Sequence, residues 1–197
     1  MDKIEAILDA ACILFGERGF ENTTVAEIAR KAGVASGTVI YHFGKKEAVL
    51  FYLAWKFLNT LYRETLVASE AAPDGRSALR DCVLRFFELL RDDPHQFRFL
   101  LRNIPDGVNL GPLSTEDLKA LHMSYIALLE SAIERGVRDG SLRDARPHEA
   151  AMILSTMLLG SARLGLHFEA DIDRLRDETL AFLRVRFLPG ETGPSGS

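Results

Sequence analysis

Residues Val34 to Lys46 read VASGTVIYHFGKK, and this stretch decides how the rest of the chain is understood. Gly33 stands just before it and Gly44 near its end. The residues between suit one short helix, which the pattern places at about Ser36 to Phe43. Immediately upstream, Thr24 followed three residues later by Glu27 matches a capping box, in which each side chain satisfies an orphan backbone donor of the other. The helix it opens is short, with Val25, Ile28 and Ala29 on its inner face and Gly33 as its stop. Two short helices joined by a turn containing glycine form a helix-turn-helix. The chain carries 28 Asp and Glu residues, yet none lies between Arg30 and Lys46, a window that also holds Lys31 and Lys45. A segment free of carboxylates and supplied with Ser36, Thr38, Tyr41 and His42 suits a polyanionic neighbour.

In a helix-turn-helix the second helix enters the major groove, and its first residues meet base edges. Ser36, Gly37 and Thr38 occupy that end. The hydroxyls can donate or accept, and Gly37 lets the backbone come close. Tyr41 and His42 follow one turn later, within reach of phosphates. Lys45 and Lys46 add charge at the start of the next helix, and Thr24 is expected to touch phosphate as well as to cap. Val39 and Phe43, one turn apart, are expected in the core of the small unit.

The 197 residues are 47% hydrophobic with a net charge of −4, which excludes global disorder and a general affinity for polyanions. Any nucleic-acid binding must come from a local patch. Cys12 and Cys82 have neither disulfide nor zinc-site spacing and read as buried small side chains. The N-terminus has acidic residues and no apolar leader, so the cytoplasm is expected. The uncharged run Ala150 to Ala162 falls short of the ~20 residues that span a bilayer, and a buried helix or a subunit interface is expected there. The sequence shows no nucleophile with a nearby His–acid pair, phosphate loop or metal cluster, so no enzyme activity, cofactor or metal is expected. Helical periodicity runs almost throughout, and an all-α chain is predicted. The expected division is residues 1–46 as a three-helix DNA-binding unit, 47–188 as a larger helical domain, and 189–197 as a flexible tail. A long helix from Lys46 to about Ala68 follows the small unit, Ser114 or Thr115 is expected to cap a later one, and 104–112 reads as a loop.

The order Ala10-Ala11, Leu14-Phe15, Gly19-Phe20, Thr23-Thr24-Val25, Ile28-Ala29, Ala32-Gly33-Val34, Gly37-Thr38, His42-Phe43 and Lys46-Glu47 resembles the TetR family of bacterial transcriptional repressors. The likeness is dense over about the first 50 residues and architectural beyond. Three positions depart from the family pattern. Ile40 stands where a tyrosine is usual, Ala35 where a serine cap is usual (Ser36 is expected to take over the cap), and Lys45 where a small polar cap is usual. The resemblance implies a homodimer that binds a pseudo-palindromic operator in double-stranded DNA and is released by a small apolar effector. It implies an effector pocket in the larger domain, for which Trp55, Tyr62, Phe86, Phe99 and Met152 are the expected walls and His122 and Tyr125 the polar handles. It implies dimerisation through the two C-terminal helices, with Leu154, Leu158, Gly160, Leu180 and Leu183 as the expected contacts. The alternative is a family-fold interaction protein that has lost operator binding, with Ile40 as its sign.

Overall fold

A computed structural model describes residues 2–103, 115–143 and 146–187. Among them the regular structure is helical throughout: α1 Lys3–Arg18, α2 Val25–Ala32, α3 Ser36–Phe43, α4 Lys46–Ala71, α5 Gly75–Asp92, α6 Pro94–Asn103, α7 Thr115–Asp139, α8 Pro147–His167 and α9 Ile172–Phe187. The expected all-α class holds, and the two short helices fall where the capping box and the glycines put them. The expected loop at 104–112, a cap by Ser114 and the tail at 189–197 lie outside the described residues, as does the side chain of Thr115. The chain forms two compact units, Met1–Thr60 with Asp92–His122, and Leu61–Arg91 with Met123–Ser197.

In the first unit α1 is the spine. Asp2 caps it by accepting from the Ile4 amide at 3.2 Å, and Gly19, at φ 86°, ends it. Its inward residues Ile7, Ala11 and Phe15 are completely buried. α2 and α6 pack beside it, and α3 packs against α2. Phe15 meets Phe20 and Phe99 at ring-centroid distances of 5.5 and 6.2 Å. Asn103, the last residue of α6, is buried and uses its whole amide here. Its Oδ1 accepts from the Phe20 amide at 2.7 Å, and its Nδ2 donates to the carbonyls of Phe15 at 3.0 Å and Phe99 at 2.8 Å. Arg102 adds a bond from Nη1 to the Glu17 carbonyl at 2.8 Å. α6 thus adds partners to the last-turn carbonyls of α1, beside the Gly19 amide on Phe15 and the Asn22 side-chain amide on Arg18.

The second unit holds the latter part of α4 with α5, most of α7, α8 and α9. Phe86, Leu79, Leu90, Leu129, Ile133, Leu154 and Leu158 make its core. α4 has no basic residue in its own last turn. Arg135 of α7 supplies one, donating to the Ala72 carbonyl at 2.7 Å and the Ser69 carbonyl at 3.4 Å, where a cation also suits the helix dipole. The start of α5 crosses α7 on two glycines. A Cβ built on Gly75 would stand 2.0 Å from the Gly136 nitrogen, so backbone meets backbone with no room for a side chain. Cys12 and Cys82 are both buried free thiols, and burial pushes each up to about 12.

Helix α8 corrects part of the sequence reading. It runs 21 residues, long and apolar enough by length and composition alone to cross a membrane, with a mean hydropathy of 1.2 and 33% of that window buried. Its buried stripe is Ala151, Leu154, Ser155, Leu158, Ser161 and Ala162. Leu154 and Leu158, expected at a partner, are covered by their own chain. Met152, expected to face a pocket, is 46% exposed. A run apolar on every face carries no periodicity from which its rotation can be read.

Asn103→Leu removes the partner of the part-buried Phe20 amide and one of the two bonds to the Phe15 carbonyl, which keeps the Gly19 amide. It should cost about 2–3 kcal/mol, since buried polar groups left unpaired lose their solvation without return. Denaturant unfolding of wild type and variant checks this, with a lowered midpoint at an unchanged m-value as the expected result.

Candidate nucleic-acid interface

α2 is built as the sequence requires. Thr24 Oγ1 accepts from the Glu27 amide at 3.2 Å and Glu27 Oε2 accepts from the Thr24 amide at 2.9 Å, which completes the capping box. The Thr24 hydroxyl also donates to Glu27 Oε2 at 2.8 Å. Those hydrogen bonds, with Arg18 at 3.1 Å behind them, hold the Glu27 carboxyl below the usual carboxylate range. Thr24 is thus occupied by its cap. At the other end Gly33 takes φ 68°, while Val34 N–H bonds the Ala29 carbonyl at 3.0 Å and Gly33 N–H the Arg30 carbonyl at 3.3 Å. This Schellman pair stops α2 and turns the chain into α3.

α3 buries Val39, which is 1% exposed, and half-buries Thr38 and Phe43, the latter 5.7 Å from the Tyr52 ring. Its open face consists of Ser36, Gly37, Ile40 and Tyr41, spaced so that they form one stripe. Tyr41 is 85% exposed and touches His42 edge-on at 5.1 Å. A Cβ on Gly37 would meet nothing within 4 Å, so no packing inside the chain calls for glycine there. The N-cap of α3 is Ala35, with no side-chain cap. Ser36 is already the first helical residue, so it does not take over the cap as expected. The first amides of α3 are left without side-chain acceptors, and such an uncapped start attracts anions. Lys31, His42 and Lys45 are exposed around it.

Lys46 has a different place from the one expected. Its Nζ donates to the Phe20 carbonyl at 2.8 Å and the Thr23 carbonyl at 2.9 Å, and stands 4.1 Å from the centre of the Phe20 ring. Together with Asn103 it pins the turn between α1 and α2 from two separate helices. Thr23, 1% exposed, closes the same turn by donating to the Gly19 carbonyl at 2.9 Å. Neither Asn103 nor the inward role of Lys46 is visible in the sequence, because each depends on a partner more than twenty residues away.

The expected effector residues divide between the units. In the first, Phe99 is completely buried, Trp55 is 46% exposed, and His122 is half-buried with its basicity lowered by desolvation. In the second, Phe86 is completely buried, Tyr62 half-buried and Tyr125 3% exposed. The Tyr125 hydroxyl and the Oγ1 of the fully buried Thr65 have no hydrogen-bond partner among the described residues, and burial pushes the Tyr125 phenol upward. Cys82 lies beside them, with Sγ 4.0 Å from the Thr65 carbonyl. No group of three or more ligating side chains that could hold a metal ion occurs among the described residues.

Residues 7–53 match the family model described as bacterial regulatory proteins, tetR family. The chain is 31% identical over 137 residues to the transcriptional repressor KstR2 of Rhodococcus jostii strain RHA1, an alignment covering 70% of this chain and 66% of that relative. It is 25% identical over 168 residues to the transcriptional activator FasR of Mycolicibacterium smegmatis, covering 85% and 74%. Among solved structures, the SmeT–triclosan complex superposes with a TM-score of 0.78 at 26% identity, over 96% of this chain and 93% of that one.

The geometry of Lys46 yields a sharp expectation. Lys46→Met should weaken DNA binding and lower stability by about 1 kcal/mol, while leaving the salt dependence of binding unchanged. A lysine in contact with phosphate would instead reduce that slope by about one counterion. Fluorescence anisotropy across a salt series, paired with thermal unfolding, separates the two.

Proposed function

The chain belongs to the TetR family of bacterial transcriptional regulators, and we propose that it is a ligand-responsive repressor acting in the cytoplasm. It binds a pseudo-palindromic operator as a homodimer and leaves it when a small apolar effector binds. The observation that carries the reading is the open stripe of α3: Ser36, Gly37, Ile40 and Tyr41 around an uncapped helix start, in a window without carboxylates. The DNA contacts are assigned to Ser36, Gly37, Thr38, Tyr41, His42 and Lys45 within residues 1–46. Lys46 and Thr24 hold the surface in shape. The two half-sites lie about one helical turn, ~34 Å, apart. The exposed Ile40, at 54%, is the one feature that also fits the alternative of a protein partner in place of DNA.

Effector binding is assigned to the helical domain at 47–188, with Tyr125 and Thr65 as the polar handles. A buried hydroxyl without a partner costs free energy, and a ligand that supplies the partner recovers it. An apolar molecule with one hydroxyl or carbonyl fits this description, and triclosan, bound by a relative, belongs to that class. Dimerisation is assigned to the open face of α8 and α9. Ile153, Phe182 and Val185 are 63%, 63% and 78% exposed, and Leu164 is 46% exposed. Gly160 lies on the same open side, and a Cβ there would meet nothing within 4 Å. Leu180 and Leu183 are half-buried within the chain and are withdrawn from this face.

Phe182→Glu should give a folded monomer, since the residue is exposed in the single chain but would bury an unpaired charge in the dimer. Sedimentation velocity shows the shift, and a full-strength dimer would move the interface elsewhere. The reading as a whole is tested by titrating the chain with DNA from its own promoter region, with and without triclosan. Effector and operator must weaken one another by the same factor. Tyr125→Phe should bind triclosan less tightly while unfolding at a higher temperature, because it deletes an unsatisfied buried group. Equal operator affinity with and without a bound ligand would remove the effector model, and no operator affinity at all would favour the protein-partner reading.

A further inference from the structure

The second unit contains a cavity apart from the buried Tyr125 and Thr65 hydroxyls. It lies where α5 and α9 face each other near Leu142, has a volume of about 130 Å³, and is floored by Leu79, Leu183 and Phe187 with two further leucines. Three guanidinium-bearing residues, Arg76, Arg80 and Arg184, complete its lining. Leu79 and Phe187 are 2% and 3% exposed, so the floor belongs to the rigid core. A volume of this size is close to that of an engineered cavity of ~150 Å³ that holds benzene.

The charge around it is unbalanced. Arg80 is paired, its Nε donating to Asp81 Oδ1 at 2.8 Å. Arg76 and Arg184 form no ion pair among the described residues. Three cations thus stand at the lip of an apolar hollow, with Asp81 and Asp74 the two carboxylates that act on Arg80. Neither feature is needed by the DNA surface or by the α8–α9 face, and the leucines from α9 in its wall are the ones that the dimer face does not use.

We propose that this cavity is a binding site for a small carboxylic acid with a compact apolar body, of the size of benzoate or a short-chain fatty acid. The body fills the hollow over Leu183 and Phe187, and the carboxylate takes hydrogen bonds from Arg76 and Arg184. Guanidinium is suited to this because its planar fork matches a carboxylate and is weakly hydrated for a cation. Desolvating the apolar body provides the attraction, and the two guanidiniums select the anion over its neutral counterpart.

The test is calorimetric titration of the full chain with benzoate, hexanoate and the neutral benzyl alcohol at low ionic strength. At least one acid should bind at least tenfold more tightly than the alcohol. Arg76→Gln combined with Arg184→Gln should abolish that preference, as expected from the loss of charged hydrogen bonds, with thermal unfolding unchanged because both side chains are exposed. Leu183→Phe should block all three ligands by filling the hollow, and a crystal of the benzoate complex locates the ring if that variant folds poorly. Tyr125→Phe should leave benzoate binding as it is, which separates this site from the effector handles. Binding of acid and alcohol with equal affinity, an arginine double variant that binds benzoate like wild type, or no acid binding at all would overturn the proposal.

Discussion

One turn of chain, Gly19 to Thr24, is the constraint on which the DNA-facing surface rests. It must end α1, reverse direction and start α2, and its less exposed backbone groups, at Gly19, Phe20 and Thr23, need partners within the protein. Few come from the turn itself. Asn103 takes the Phe20 amide, Lys46 takes the Phe20 and Thr23 carbonyls, and the Thr23 hydroxyl takes the Gly19 carbonyl. Because α2 leaves from this turn and α3 follows α2 through the Gly33 stop, the direction of the exposed stripe is set by side chains from α4 and α6. A cation over the Phe20 ring, 4.1 Å from its centre, adds attraction that water does not fully screen.

Much of this fold could be read before any coordinates. The capping box at Thr24 and Glu27, the stop at Gly33 and the span Ser36–Phe43 are local events, fixed by residues within a few positions of one another, and the structure has all three. Periodicity likewise gave α1, α4, α5 and α7, because their apolar residues repeat on one side. What escaped is what depends on distance along the chain. The Asn103 amide looks like any polar residue near a helix end. Lys46 looks like a free charge until the carbonyls of Phe20 and Thr23 are placed beside it. In α8 the difficulty is of another kind: Met152, Ile153, Leu154 and Leu158 are equally apolar, and only packing decides that the leucines turn inward. The acid-free window showed that a polyanion surface was plausible, but it could not say that Tyr41 would stand 85% exposed while Val39 closed the core.

The second unit combines two opposite treatments of polar groups. At several of its helix ends side chains supply the partners. Asp139 accepts the Gly75 amide, Asp74 accepts the Ser77 amide, and Arg135 serves the last carbonyls of α4. Arg143 similarly donates to the Val185 and Arg186 carbonyls at the end of α9. In its interior the Thr65 and Tyr125 hydroxyls have no hydrogen-bond partner among the described residues. Side-chain partners at the helix ends thus frame an interior in which two buried hydroxyls carry a cost that the surrounding packing offsets.

The crossing of α5 on α7 at Gly75 and Gly136 limits how this sequence can drift. With 2.0 Å between a Gly75 Cβ and the Gly136 nitrogen, no side chain fits at position 75 while the helices keep their separation. Relief from a change at the partner position is closed as well, since a Cβ on Gly136 would stand 2.5 Å from the Leu142 side chain. Two positions sixty-one residues apart are therefore locked to the same minimal residue, and Leu142 can grow no larger toward them. Surface positions such as Val67 and Val185, 65% and 78% exposed, carry no such restriction within the single chain. Descendants of this sequence are free to vary their outer faces long before they can vary that crossing.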